Sequence, residues 1–217
     1  MDPMTDADTR DLALVHAFRA GDQAALAELL ERYQDRLFGV CLRMVNDGDL
    51  AQDMVQEAMV KIIHGLPQFS GRSKLSTWMI RVTMNVCLTW RRKQRLRRHA
   101  SLDAVSSGTG GGAEAGVALH ASLADGREPG AEGRVEQMDA RRRLKVGLSQ
   151  IEPQQRAILI LRDVQGFDYR EIAAILAIPE GTVKSRLFRA RVALREAMER
   201  LEGAGPAGDR DAASPRG

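Results

Sequence analysis

The chain is poor in the residues that carry most catalytic and metal chemistry. Its 217 residues include two cysteines, Cys41 and Cys87, both inside apolar helical patterns and neither with a metal-type partner at ligand spacing. That excludes a disulfide framework and is the pattern of buried free thiols in a reducing compartment. The four histidines, His16, His64, His99 and His120, are scattered. They form no metal-spaced cluster, and no serine or cysteine stands beside a base as a nucleophile would. No catalytic centre, metal or cofactor is therefore expected. No uninterrupted apolar run is long enough to span a bilayer, and no charged n-region with an apolar h-region opens the chain. The expectation is a soluble, cytoplasmic protein without direct membrane insertion. There is no internal repeat and no convincing strand, so the fold class is all-α.

What is present is charge, unevenly placed. The net charge is only +3. Yet Arg91, Arg92, Lys93, Arg95, Arg97 and Arg98 form one basic run, and Lys184, Arg186, Arg189 and Arg191 form another with no acid between Thr182 and Arg195. One basic run is commonly a solvated face. Two in separate elements point to phosphate backbone.

Composition divides the chain. Residues 11–99 read as helix after helix. Residues 100–133 hold eight glycines and few large apolar side chains, which is too little to offset chain entropy, so a flexible linker is expected. Residues 134–202 are helical again, and 203–217 form a disordered tail. The first helix is expected to start at the N-cap Asp22, with Leu26, Leu29, Leu30, Tyr33, Leu37, Val40, Cys41 and Met44 as its core stripe. Asn46-Asp47-Gly48 breaks it. A second helix is expected from Asp49, with Gln52 as in a capping box; Val55, Ala58, Met59 and Ile62 face inward and Asp53, Gln56, Glu57 and Lys61 outward. After the loop Phe69–Ser73, a third helix from Leu75 buries Leu75, Trp78, Met79, Val82 and Val86, while Thr77, Arg81, Asn85 and Arg92 share a polar side.

In the second half, Pro153 suits a helix first turn and Gly166 marks a break. Tyr169 to Pro179 and Gly181 to Arg191 then read as helix, turn, helix. Ile172, Ala173, Leu176, Ile178, Val183 and Leu187 are the apolar positions that lock the two, and the second helix suits a DNA major groove. Asp168 is the expected N-cap. Ala177 stands where glycine often supplies the left-handed residue of such a turn, which leaves the turn geometry open.

Asp53-Met-Val-Gln-Glu57, Phe69 through Trp78, Arg81 with Asn85, and Gly181-Thr-Val-Lys-Ser-Arg-Leu-Phe-Arg-Ala-Arg191, in this order and split by a linker, resemble a bacterial sigma factor of the extracytoplasmic-function (ECF) type within the sigma-70 family. The resemblance covers 11–202 apart from the linker. It implies a region 2 helical bundle and a region 4 helix-turn-helix, without a catalytic centre. It also implies binding to core RNA polymerase, through the beta-prime clamp and the beta flap, and to promoter DNA, with an anti-sigma factor as a further partner.

The residue roles follow from that resemblance. From spacing alone, Asp53, Gln56 and Glu57 are a solvated face with an i, i+4 Glu57–Lys61 pair; the resemblance makes them the docking face for arginines of the beta-prime clamp. Ser70, Gly71, Arg72 and Ser73 become a pocket for a flipped base of the minus-10 element, with Phe69 as a core anchor. Arg72 and Lys74 otherwise read as a solvated loop. Arg81 and Asn85 are the base- and phosphate-contacting pair, Trp78 is core, and Arg91, Arg92, Lys93 and Arg95 meet phosphates. Lys184, Ser185, Arg186, Phe188 and Arg189 match positions that meet the minus-35 element. Thr182 caps the helix or contacts phosphate. Phe188 touches a thymine methyl or packs on the last helix, with nothing in the sequence to choose between them. The linker, with Asp103, Glu114, Asp125, Glu128 and Glu132 against Arg127, suits a positively lined RNA path or is a plain spacer. The rival to this assignment is a stand-alone helix-turn-helix regulator with an N-terminal dimerisation domain.

Overall fold

The computed structural model describes residues 6–105 and 131–203, with side chains described for 6–97 and 138–203. Among the described residues the structure is helical throughout: α1 (Asp6–Arg19), α2 (Gln23–Val45), α3 (Gly48–Gly65), α4 (Leu75–Val105), α5 (Ala131–Gln150), α6 (Pro153–Leu159), α7 (Tyr169–Leu176) and α8 (Glu180–Gly203). A 3-10 turn, Leu66–Gln68, follows α3, and a π turn, Ile160–Val164, follows α6. The expected linker, 100–133, is entered by helix at both ends; its remainder and the tail beyond Gly203 lie outside the described residues.

The first helical domain is a bundle centred on α2. The Asp22 carboxylate accepts from the amides of Ala24 and Ala25, so that helix starts where its cap residue dictates. Its stripe buries Leu29, Leu37, Val40, Cys41 and Met44 completely. Asn46, at φ 63°, ends it in the left-handed conformation. The next cap is Asp47 rather than Asp49: Asp47 is extended and its carboxylate accepts from Leu50 N, which leaves Asp49 inside the first turn. Ala51, Met54, Val55, Ala58 and Ile62 of α3 and Met79, Ile80 and Met84 of α4 complete the core.

Helix α1 was not expected as a separate element. It packs on α2 through Val15, which is buried. It also buries Asp11, which accepts a hydrogen bond from the Tyr33 hydroxyl and lies 3.3 Å from Arg32. Burial and that hydrogen bond push the Tyr33 hydroxyl well above the ordinary tyrosine range.

In the second domain α5, α6 and α7 all pack against α8. Pro153 occupies the first turn of α6 as expected, and Gly166, at φ +74°, breaks the chain before α7. The two domains also pack on each other: α4 meets α6 and α7, and α2 meets α5 and α6. One apolar cluster runs through both.

Candidate nucleic-acid interface

Helix α3 presents Asp53, Gln56 and Glu57 to solvent while Met54, Val55 and Ala58 hold its other side in the core. Glu57 is paired with Lys61 at 2.6 Å, both half-exposed. Such a pair contributes only about 0.3–0.5 kcal/mol, so a competing arginine partner could replace it at little expense.

The loop after α3 is pinned from below. Phe69 is buried, with its ring centroid 5.4 Å from that of Trp78. Arg19 donates to the carbonyls of Leu66 and Phe69. Gly65 leaves room for the indole: a Cβ there would stand 2.9 Å from Trp78. On this anchor Ser70, Gly71, Arg72 and Ser73 are all exposed, and Gly71 takes φ +70°. Lys74 is not a free loop cation; it pairs with Asp8 of α1 at 3.1 Å.

Along α4, Arg81, Asn85 and Arg92 are exposed. Their four- and seven-residue spacing keeps them on one face, and Arg81 and Asn85 lie about 6 Å apart along the axis. Thr77 departs from that stripe: it is buried, and its hydroxyl donates to Glu171 of α7 at 3.0 Å. Arg91 also departs from the phosphate-facing set. It is half-buried, donates to the Met44 carbonyl at 3.1 Å and lies 5.9 Å over the Trp90 ring. Lys93 and Arg95 remain exposed.

The helix-turn-helix is fixed by its own caps. Asp168 Oδ1 accepts from Glu171 N at 2.7 Å, and Glu171 Oε2 accepts from Asp168 N at 3.0 Å, a complete capping box. The turn residue Ala177 takes the left-handed conformation itself, φ 52° and ψ 49°. Val183, Leu187 and Ala190 bury one side of α8. Lys184, Ser185, Phe188 and Arg189 are exposed and Arg186 is half-buried. Phe188 stands on the last helix itself, since the recognition helix and the last helix are one element, α8, and it is 69 % exposed. Thr182 is not the cap: α8 starts at Glu180, and the Thr182 amide donates to Pro179 O at 2.9 Å. Arg191 turns away from that exposed set to pair with Asp163 at 2.6 Å, which holds its guanidinium above the ordinary arginine range.

Cys41 and Cys87 are free and buried, their sulfurs 3.6 Å apart. Among the described residues no group of His, Cys, Asp or Glu could hold a metal ion, and no helix is long and apolar enough to cross a membrane. Sequence reasoning missed Arg156, which is buried at the domain junction; a basic residue in the second turn of a helix carries no signal that it will be covered.

Two helical domains, one with an exposed acid-amide face and a basic helix, the other a helix-turn-helix with an exposed basic recognition helix, define a two-part DNA-binding protein. The chain matches Sigma-70 region 2 over residues 29–97 and Sigma-70, region 4 over residues 141–194. It is 32% identical over 192 residues to the RNA polymerase sigma-H factor of Pseudomonas aeruginosa, covering 88% of this chain and 95% of that one. It is 32% identical, with the same coverage, to the ECF RNA polymerase sigma-E factor of Escherichia coli strain K12. It is 30% identical to the ECF RNA polymerase sigma factor SigW of Bacillus subtilis, covering 84% and 94%. Among solved structures it shares the fold of the sigma factor RpoE in complex with the anti-sigma factor NepR from Bartonella quintana, at a TM-score of 0.58 and 24% identity over 80% of this chain and 96% of that one. It shares likewise the fold of CnrH in complex with the cytosolic domain of CnrY, at 0.57 and 19% over 90% and 99%. The chain belongs to the sigma-70 family, in its ECF group, with regions 2 and 4. It directs transcription initiation and is not an enzyme; the rival assignment as a stand-alone regulator falls.

Proposed function

We propose that region 2, residues 11–99, docks on the beta-prime clamp of core polymerase through Asp53, Gln56 and Glu57 and reads the minus-10 element, while region 4, residues 134–202, engages the beta flap and the minus-35 element. The observation that carries this is the pairing of an exposed set of side chains with a buried apolar side on single helices: Asp53, Gln56 and Glu57 on α3, Arg81, Asn85 and Arg92 on α4, and Lys184, Ser185 and Arg189 with the apolar Phe188 on α8. Acids on a rigid helix form charge-assisted hydrogen bonds to arginines with little ordering cost. The loop Ser70-Gly71-Arg72-Ser73 receives the unstacked minus-10 base, and extrusion costs a few kcal/mol that contacts there must offset. Arg81 and Asn85 meet bases or backbone, and Arg92 meets phosphate. Lys184 and Arg186 reach base acceptors in the major groove, Phe188 meets a thymine methyl, and Thr182, Ser185 and Arg189 hold the backbone. An anti-sigma protein that holds regions 2 and 4 is the further partner.

The test is run-off transcription with purified core polymerase on a promoter library. Site-specific initiation that disappears in Asp53→Lys/Glu57→Lys, with helicity unchanged, supports both the activity and the docking face. Retained initiation by that variant removes the face from the proposal.

A further inference from the structure

The loop Ser70-Gly71-Arg72-Ser73 is held at both ends by a helix that precedes the matched part of region 2. That match begins at residue 29, and α1 lies wholly before it. Arg19, the last residue of α1, donates to the carbonyl of Leu66 at 3.2 Å and to that of Phe69, the residue just before the loop. Asp8, in the first turn of the same helix, pairs at 3.1 Å with Lys74, the residue just after the loop. One helix therefore reaches both ends of the segment.

The helix that does this is itself fixed. Val15 is buried in the core. Asp11, 2% exposed, accepts from the Tyr33 hydroxyl of α2 and faces Arg32 at 3.3 Å. Arg10 donates through its Nε to Glu28 of α2 at 3.0 Å. The position of the loop is thus referred through α1 to α2, the centre of the bundle.

Between the two anchors Ser70, Gly71, Arg72 and Ser73 are all exposed. Their side chains do not place the loop by packing, so its ends must. Phe69 and Leu75 seat the flanks in the core. That leaves the Leu66 and Phe69 carbonyls and the Lys74 ammonium to be oriented, and α1 supplies a partner for each. Arginine suits the first task, because its planar fork of donors can hold two carbonyls at once. A pocket for an unstacked base gains from being formed beforehand. Extrusion already costs free energy, and ordering the loop at the same moment would add to it. Selective contacts also need their groups held to within about 0.5 Å.

We propose that Asp8 and Arg19 are positioning residues for minus-10 recognition: they brace the Ser70–Ser73 loop in the shape that accepts the unstacked base, and so set how strictly that base is selected. The proposal rests on the placement of that base in this loop.

The test uses polymerase assembled with the full chain. The probe is a fluorescent single strand carrying the non-template minus-10 sequence of a promoter found in the run-off screen, together with strands in which each base is replaced in turn. The readout is the ratio of Kd values for replaced and original base, position by position. This ratio cancels any uniform change in charge attraction. Ser70→Ala/Arg72→Ala marks the position that the loop reads. Arg19→Ala is expected to lower the ratio at that position about three- to tenfold, the worth of one or two hydrogen bonds, and to leave the other positions unchanged. Asp8→Lys should lower it about threefold, as loss of a partly exposed ion pair does. Asp8→Lys/Lys74→Asp, which restores the pair in reverse, should return it to the wild-type value. Arg19→Lys, without the fork, should fall between wild type and Arg19→Ala. If Arg19→Ala loses helicity by circular dichroism, Asp8→Lys and the reversed pair carry the test, since Lys74 is 38% exposed and its pairing lies outside the core.

Wild-type ratios in Arg19→Ala and Asp8→Lys, where the loop variant loses discrimination, would overturn the brace and leave the base pocket standing. An equal fall at every position, or a reversed pair that stays at the Asp8→Lys value, would overturn it as well. A loop variant with wild-type ratios throughout would overturn the pocket reading itself, and the brace with it.

Discussion

Ala177→Gly tests the turn of the helix-turn-helix. Ala177 sits at φ 52° and ψ 49°, with its methyl exposed. An L-residue in this region costs roughly 1–2 kcal/mol against the right-handed form. Glycine removes that cost but gives back roughly 0.4–1 kcal/mol of unfolded-chain entropy. Little burial is lost, because the methyl faces water. The balance is a stabilisation of about 0.5–1 kcal/mol. If both domains unfold as one unit the melting temperature rises by about 1–4 °C, and if region 4 unfolds alone by about 2–8 °C. Calorimetry on the full chain reads both size and cooperativity. Ala177→Val, β-branched at the same φ, should fall below wild type. A glycine variant equal to or less stable than wild type would refute the assignment of strain to this residue.

Three further outcomes are expected. Tyr33→Phe leaves the buried Asp11 without its hydroxyl donor and should cost about 1–3 kcal/mol in urea unfolding; a loss below ~0.5 kcal/mol would mean that water replaces the hydroxyl. Arg92→Ala should lower promoter affinity evenly across sequences and reduce the log–log salt slope by about one, whereas Arg186→Ala should cost ~1–3 kcal/mol mainly on the preferred minus-35 sequence; gel-shift titration of the polymerase complex over salt and sequence separates them. Phe188→Ala should leave stability within ~0.5 kcal/mol, since the ring is exposed, and weaken discrimination for thymine in the minus-35 element; unchanged preference in a base-substitution series removes Phe188 from the contact set.

How far the sequence discloses this structure depends on whether a residue's job is local. The Asp22 cap, the α2 stripe, Pro153, Gly166 and the Asp168 cap act within one or two turns, and each is where the pattern puts it. The α3 start differs because two aspartates compete, and Asp47 alone has the extended backbone from which its carboxylate reaches Leu50 N. Helix α1 was hidden because its inward side includes a charged residue, Asp11, whose partners Tyr33 and Arg32 lie on another helix. Thr77, Arg91 and Arg156 escape the pattern together, since each is polar and each is covered, Arg91 only in part, by a contact distant in sequence. Among the proposed contact residues the exposed set was largely legible. Of the two roles open to Thr182, a cap or a phosphate contact, the cap falls because the start of α8 depends on Pro179 and Glu180, which sequence spacing alone does not rank.

The pair Cys41 and Cys87 lies in the seam between α2 and α4. Mutual hydrogen bonding and burial push the Cys41 thiol well above the ordinary cysteine range, so the sulfur stays protonated and inert toward alkylating reagents while the seam is shut. Reaction then waits on opening of the bundle. The rate at which an excess of reagent modifies these thiols is therefore an intrinsic clock for region 2, keeping the time of the helices' parting with no dye or engineered site.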